Sequence, residues 1–199
     1  MRSIRALIVT LTLVLAACGG RVTMTVEPTP NVPGSSVATS TSPTPVPASP
    51  SPPPAAWATE TLTDVRTGET FTLADLAGNV VLLEGMATWC PPCLEQQQQA
   101  QLALTRLDPA KVRYISLDVD PREDASTLAK YAEQHGFAWT FAVGEPALLR
   151  ELAETYGDPV LTPPVTPVLV IGPDGSATLA DLGLKDANQL IELAGAAAT

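Results

Sequence analysis

From about residue 57 onward, short apolar runs alternate with longer stretches of helical period. Residues 80–86 read as a central strand, apolar at Val80-Val81-Leu82-Leu83 and interrupted by Glu84. A second strand is expected at 111–119, where Val112, Tyr114, Ile115 and Leu117 are apolar. Short strands follow at 138–143 and 168–171, and another near 177–182 after the turn Pro173-Asp174-Gly175. Residues 60–72 predict a hairpin, two Thr-rich alternating strands around Arg66-Thr67-Gly68, and 73–77 a short turn or helix ending at Gly78. Helices are predicted at 94–107, at 124–135 before Gly136, at 146–156 before Gly157, and at 186–194 with Asp186 as N-cap. Strands and helices in alternation, then a terminal hairpin and helix, predict an α/β fold, a three-layer α/β/α sandwich occupying residues 57–199.

The first 56 residues follow a different pattern. Arg2 and Arg5 precede a segment, 4–17, that is apolar apart from Arg5, Thr10 and Thr12. It has the layout of an export signal and is too short for a comfortable membrane span. Its end, Leu15-Ala16-Ala17-Cys18, resembles the bacterial lipoprotein processing site. That resemblance implies removal of residues 1–17, a diacylglycerol on the Cys18 sulfur, and attachment to the extracytoplasmic side of the cell membrane. An ordinary cleaved signal peptide with an incidental cysteine is the alternative. Residues 18–56 then form a tether rich in Pro, Thr and Ser, which buries too little apolar surface to offset its ordering entropy. Extended at about 3 Å per residue, it reaches on the order of 100 Å.

The formal charge of −10 argues against a nucleic-acid partner; it suits basic protein clients, or simply solubility. Three cysteines do not make a disulfide framework. Cys90 and Cys93 stand two residues apart at a strand-to-helix junction, in Trp89-Cys90-Pro91-Pro92-Cys93. A cysteine at a helix N-terminus is favoured as thiolate by unpaired N–H groups and the helix dipole. A second one a turn further on can resolve a mixed disulfide on the first. Cys90 is therefore expected to be the exposed nucleophile and Cys93 the buried resolving thiol. Zinc would need two more ligands, and only the distant Cys18 and His135 remain; no metal or cofactor is expected.

The order of elements, with Ala87-Thr88-Trp89-Cys90-Pro91-Pro92-Cys93, the 70–76 lead-in, Gly78 and the strand from Pro167 to Gly172-Pro173-Asp174-Gly175, resembles the thioredoxin superfamily over roughly residues 58–195. Its membrane-anchored TlpA-like branch is the nearer likeness. The resemblance implies a thioredoxin fold with an N-terminal β-hairpin and a reductase of protein disulfides. It also implies a membrane thiol electron donor, and clients such as apocytochrome c in cytochrome c maturation, or copper-site assembly proteins. Thr166-Pro167 matches the family's cis-proline, where Thr166 would offer its backbone to an extended client, with Trp89 lining the groove; Pro163 and Pro164 are alternatives. Glu84, six residues before Cys90, occupies the place of the buried proton acceptor for the second cysteine. The later position that carries Glu in many TlpA-like proteins is Gln96 here, beside Glu95.

Other features point elsewhere. Leu117-Asp118-Val119-Asp120-Pro121 with Tyr131, Trp139-Thr140-Phe141 and Gly144 resembles the copper-chaperone Sco branch. Copper delivery there uses Cys-x-x-x-Cys and a His near the later strand; here the spacing is shorter, and His135 is expected at the surface of a helix end. Superfamily peroxidases would need a lone cysteine beside Thr and Arg in another spacing. The run 96–99 of glutamines is expected to form a solvated helix face. Both residues between the cysteines are prolines, so no positive charge there stabilises the thiolate, and the pair is expected to act as a reductant.

Overall fold

The computed structural model describes residues 54–199. The signal segment, Cys18 and nearly all of the tether lie outside them. A two-stranded antiparallel hairpin, β1 (Thr61–Thr63) and β2 (Thr70–Thr72), comes first. Gly68 takes the left-handed turn between its strands (φ 77°), and the Val65 N–H, bonded to the Phe141 carbonyl, ties the hairpin to the main sheet.

The main sheet has the order β5-β4-β3-β6-β7. In it β3 (Val80–Met86), β4 (Val112–Asp118) and β5 (Thr140–Val143) are parallel, with β6 (Val168–Ile171) antiparallel to β3 and β7 (Ala177–Leu179) antiparallel to β6. β3 is central and buried along its whole length, as its apolar run requires. Because side chains alternate across a strand, β3 divides its residues between two interiors. Val81 and Leu83 face an all-apolar cluster with Ile115, Leu117, Leu148, Leu152 and Leu169. Val80, Leu82, Glu84 and Met86 face the other way.

Four helices cover the sheet: α1 (Pro91–Leu104), α2 (Ala125–His135), α3 (Pro146–Tyr156) and α4 (Ala187–Ala197). α3 packs on the apolar side, while α1, α2 and α4 pack on the Glu84 side. Their ends follow local chemistry. Asp124 caps α2 through the Thr127 N–H and Gly136 closes it at φ 68°; Pro146 opens α3; Asp186 and Gln189 form a reciprocal capping box on α4. α1 begins earlier than the pattern indicates because Pro91 and Pro92 fit its first turn, and it stops at Leu104 rather than 107.

One expectation about α1 is overturned here. Gln96 and Gln97 are fully buried and Gln99 is half-buried, so of the 96–99 run only Gln98 is freely exposed. Gln96 and Gln97 fall three and four residues after Cys93, on the face that turns inward. Their amides are held there by polar partners: Gln96 brackets the backbone of Lys185, and Gln97 accepts from the Tyr131 hydroxyl.

Candidate functional site: a disulfide and a buried carboxyl

Cys90 is the N-cap of α1, and its bond to Cys93 is closed, with the Cα atoms 5.3 Å apart. The Cys93 N–H points at the Cys90 sulfur from 3.2 Å. The helix start thus supplies a donor for negative charge on Cys90 once the pair is reduced. Cys90 is more enclosed than a freely exposed nucleophile: only 2% of it is accessible in the disulfide. It forms part of the lining of a surface groove of about 480 Å³ between Trp89 and α2. Cys93 is fully buried, with its sulfur 3.3 Å from the Pro163 carbonyl.

On β3, six residues before Cys90 and on the side of the sheet that α1 covers, Glu84 is 0% exposed. The Ser116 hydroxyl donates to one carboxyl oxygen at 3.1 Å and itself accepts from the Trp139 indole N–H at 3.0 Å. The other oxygen has no partner in hydrogen-bonding geometry, although the Gln97 amide and the Tyr114 hydroxyl neighbour the carboxyl. Burial drives the Glu84 pKa up to about 8, against the pull of Gln97, Ser116, Tyr114 and the Lys185 charge. Glu84 therefore holds a proton at neutral pH yet can release it within reach of that pH. The same burial, with Glu84 beside it, raises Tyr114 well above the ordinary phenol range. Glu95, the other carboxylate near the motif, is exposed.

The Thr166–Pro167 segment departs from what its sequence implies. No cis peptide bond occurs among the described residues, so the bond before Pro167 is trans. The reversal comes from Thr166 itself, which takes a left-handed conformation (φ 44°, ψ 59°) uncommon for a β-branched residue. Thr166 is 1% exposed. Its N–H donates to the Pro163 carbonyl at 2.8 Å, and its carbonyl accepts from the Lys185 ammonium at 2.6 Å. Both backbone groups that a client strand would pair with are thus taken by the chain itself. Pro167 continues into β6 and holds β3 through its carbonyl, which accepts from the Gly85 N–H.

Lys185 is the residue that pattern reading missed most completely. It is 5% exposed, and its ammonium is shared between the carbonyls of Thr166 and Gly183. Desolvation lowers its pKa, opposed by the charges of Glu84 and Asp181. Its sequence neighbours carry no signal that it turns inward, since Leu182 and Leu184 are themselves exposed.

Trp89, by contrast, is 52% exposed, and its indole N–H donates to Asp120, which also receives a two-pronged ion pair from Arg122. Those bonds, Arg122's foremost, hold the Asp120 carboxyl well below the usual range. Next to it, Glu123 accepts from the Thr88 N–H and hydroxyl. The adjoining Asp118 is pushed up to about 7, by burial first and by the nearby carboxylates as well. The β4–α2 loop is therefore an acidic cradle for the residues just before Cys90. His135 is half-buried rather than free at the surface, its ring against Tyr131 and Phe137 on the groove wall. Among the described residues no cluster of three His, Cys, Asp or Glu side chains is arranged to hold a metal ion.

The AhpC/TSA family model matches residues 56–176. No curated protein sequence matches the chain. Among solved structures, the chain is similar to a thiol:disulfide interchange protein of the thioredoxin family from Chlorobium tepidum, with 21% identity, a TM-score of 0.57, and 76% of this chain and 99% of that one covered. It is also similar to a secreted Mycobacterium tuberculosis disulfide oxidoreductase homologous to E. coli DsbE, at 19% identity and TM-score 0.54, over 70% of this chain and 97% of that one. A third similar structure is BsSco, of the Sco family of cytochrome c oxidase assembly proteins, at 22% identity and TM-score 0.55, over 69% and 90%. These likenesses rest on the fold, the thioredoxin-like three-layer architecture that carries the Cys90–Cys93 pair. With most of its folded part matched, the chain belongs to the AhpC/TSA family of the thioredoxin superfamily.

Proposed function

We propose that this protein is an exported, lipid-anchored thiol–disulfide oxidoreductase that reduces disulfides in client proteins. The observation that carries the reading is the Cys90–Cys93 bond at the N-terminus of α1, the helix whose Gln97 neighbours a buried, proton-holding Glu84. In the reduced state the Cys90 thiolate attacks a client disulfide, forming a mixed disulfide and expelling one client thiolate. Cys93 gives its proton to the Glu84 carboxylate and attacks the Cys90 sulfur. That step closes the Cys90–Cys93 bond and expels the second client thiolate. Two electrons pass to the client, and its thiolates take up protons from solvent. In the oxidised state Glu84 then holds the proton needed when a membrane thiol donor re-reduces the pair. Anchoring through Cys18, at the end of a tether on the order of 100 Å, would let the domain reach clients near the membrane.

The direction of electron flow is tested by equilibrating the protein in graded dithiothreitol buffers and following the fluorescence of Trp89 beside the pair. The expected midpoint is nearer the thioredoxin value, about −270 mV, than a DsbA-like −120 mV; a midpoint above about −180 mV makes the protein an oxidase or isomerase. Mixed disulfides trapped on Cys93→Ser in the native cell identify the clients. Stoichiometric Cu(I) binding in competition with a chelator, without insulin reduction, would replace this reading by a Sco-like copper role. Intact mass of the native protein tests the anchor, and an unacylated Cys18 ends that part of the proposal.

A further inference from the structure

The route by which a thioredoxin-like site holds an extended client is closed in this chain. Thr166 is buried in a left-handed turn, its N–H spent on Pro163 and its carbonyl on Lys185. The Cys90 sulfur needs another approach, and Cys90 forms part of the lining of the groove between Trp89 and α2. This groove holds about 480 Å³, enough for a few side chains of an extended segment. Trp89, Pro91 and Leu94 give it an apolar wall; Lys130, Tyr131 and His135 form the wall opposite.

The charge of that lining runs against the charge of the protein. The whole chain carries a formal −10, yet among the described residues no carboxylate lines the groove. Lys130 is exposed there and makes no salt bridge among the described residues. His135 adds a ring N–H donor in either protonation state. Of the acidic groups around it, Asp120 is engaged with Trp89 and Arg122, Glu123 with Thr88 and Asp124 with the Thr127 N–H, while Glu95 and Glu133, next in sequence to Leu94 and Gln134, are exposed and outside the lining.

We propose that this groove is where the client lies, and that it favours an extended client segment with an acidic side chain close to its cysteine. The inference rests on the disulfide-reductase reading above and names the substrate class of that same site. The acidic group meets Lys130, an apolar neighbour lies on Trp89 and Leu94, and the client sulfur is left facing Cys90. The groove thus selects, from clients that an acidic protein would otherwise repel, those whose charge fits this one place.

Symmetrical disulfide dimers of a single-cysteine peptide, with the cysteine flanked by Glu, Gln or Lys, test this. Attack by Cys90 breaks the peptide–peptide bond and releases one peptide thiolate; closure with Cys93 releases the other. Rates of oxidation of the reduced full chain are measured at low ionic strength, each divided by the rate of the same dimer with dithiothreitol, which removes intrinsic reactivity. The Glu-flanked dimer should exceed the Lys-flanked one by roughly 5-fold, the scale of one exposed charge contact. Lys130→Glu should invert that order. Lys111→Glu makes the same change in net charge at the start of β4, the end of the sheet away from Cys90, and should keep the wild-type ratio. A wild-type ratio near one, or an equal loss in Lys111→Glu, overturns the groove assignment while leaving the reductase reading standing. If no dimer reacts with the protein although dithiothreitol reduces all of them, the reductase reading falls and the inference falls with it.

Discussion

The two faces of the central sheet are built on opposite principles. On one, Val81, Leu83, Ile115 and Leu117 meet Leu148 and Leu152 of α3 in a cluster of apolar side chains. On the other, the same strands present Glu84, Tyr114 and Ser116 to α1, α2 and α4, joined by Gln96, Gln97 and Lys185. The first face can only stabilise. The second leaves one Glu84 oxygen, the Tyr114 hydroxyl and the Gln97 amide nitrogen without partners, a burden carried on the side of the sheet that α1 covers. Stability and chemistry are thus separated by the alternation of a single strand: Leu83 and Glu84 are neighbours in sequence and face opposite interiors.

The largest way to break this contrast is Glu84→Gln. Attack of Cys93 on a trapped mixed disulfide should slow by roughly 10²- to 10⁴-fold near neutral pH, read by single-turnover kinetics. Stability should move the other way. Glu84 titrates at about 8 folded against 4.5 for the free side chain. Between those values the folded state binds the extra proton, so the native protein loses stability as pH rises through that window. The variant should lose that slope and exceed the native protein in urea midpoint above pH 8. Asp118, raised from 3.8 to about 7, leaves a slope of the same sign that ends near pH 7.

On the apolar face, Leu83→Ala should lower stability by about 2–5 kcal/mol while leaving the pH profile of turnover unchanged. A shifted profile would mean that the two interiors communicate. Gly85→Ala sharpens the boundary between them. A Cβ there would stand 2.5 Å from the Val160 carbonyl oxygen and 3.2 Å from Pro167, so denaturant titration should show a loss of about 1–3 kcal/mol. The smallest effect is expected at the rim: Trp89→Phe removes the indole bond to Asp120 and should cost about 1 kcal/mol in the same titration. An unchanged midpoint would mean that Arg122 alone holds Asp120 in place.

The apolar face was legible in the sequence; the polar one only in part. Three element bounds, 80–86, 146–156 and 168–171, match the pattern to the residue, because each is a dense apolar or amphipathic run with clear ends. Strand alternation alone puts Tyr114 and Ser116 on one face of β4, and the register that sets Ser116 opposite Glu84 makes it the same face. Gln96 and Gln97 could not, since a glutamine gives the same signal on a wet face as in a polar interior. The Thr166 turn was misjudged for a related reason. A proline before an apolar strand indicates a bend, but whether the proline or the residue before it makes the bend depends on a lysine 19 positions away.

That lysine has a practical use. The chain has three lysines, and Lys111 and Lys130 are exposed while Lys185 is buried under Thr166 and Gly183. An amine-acylating reagent will mark the first two at once and reach the third only when the loop over Cys93 opens. The labelling rate of Lys185 is therefore a clock for the opening of the redox site, and it can be read by mass spectrometry with both cysteines left untouched.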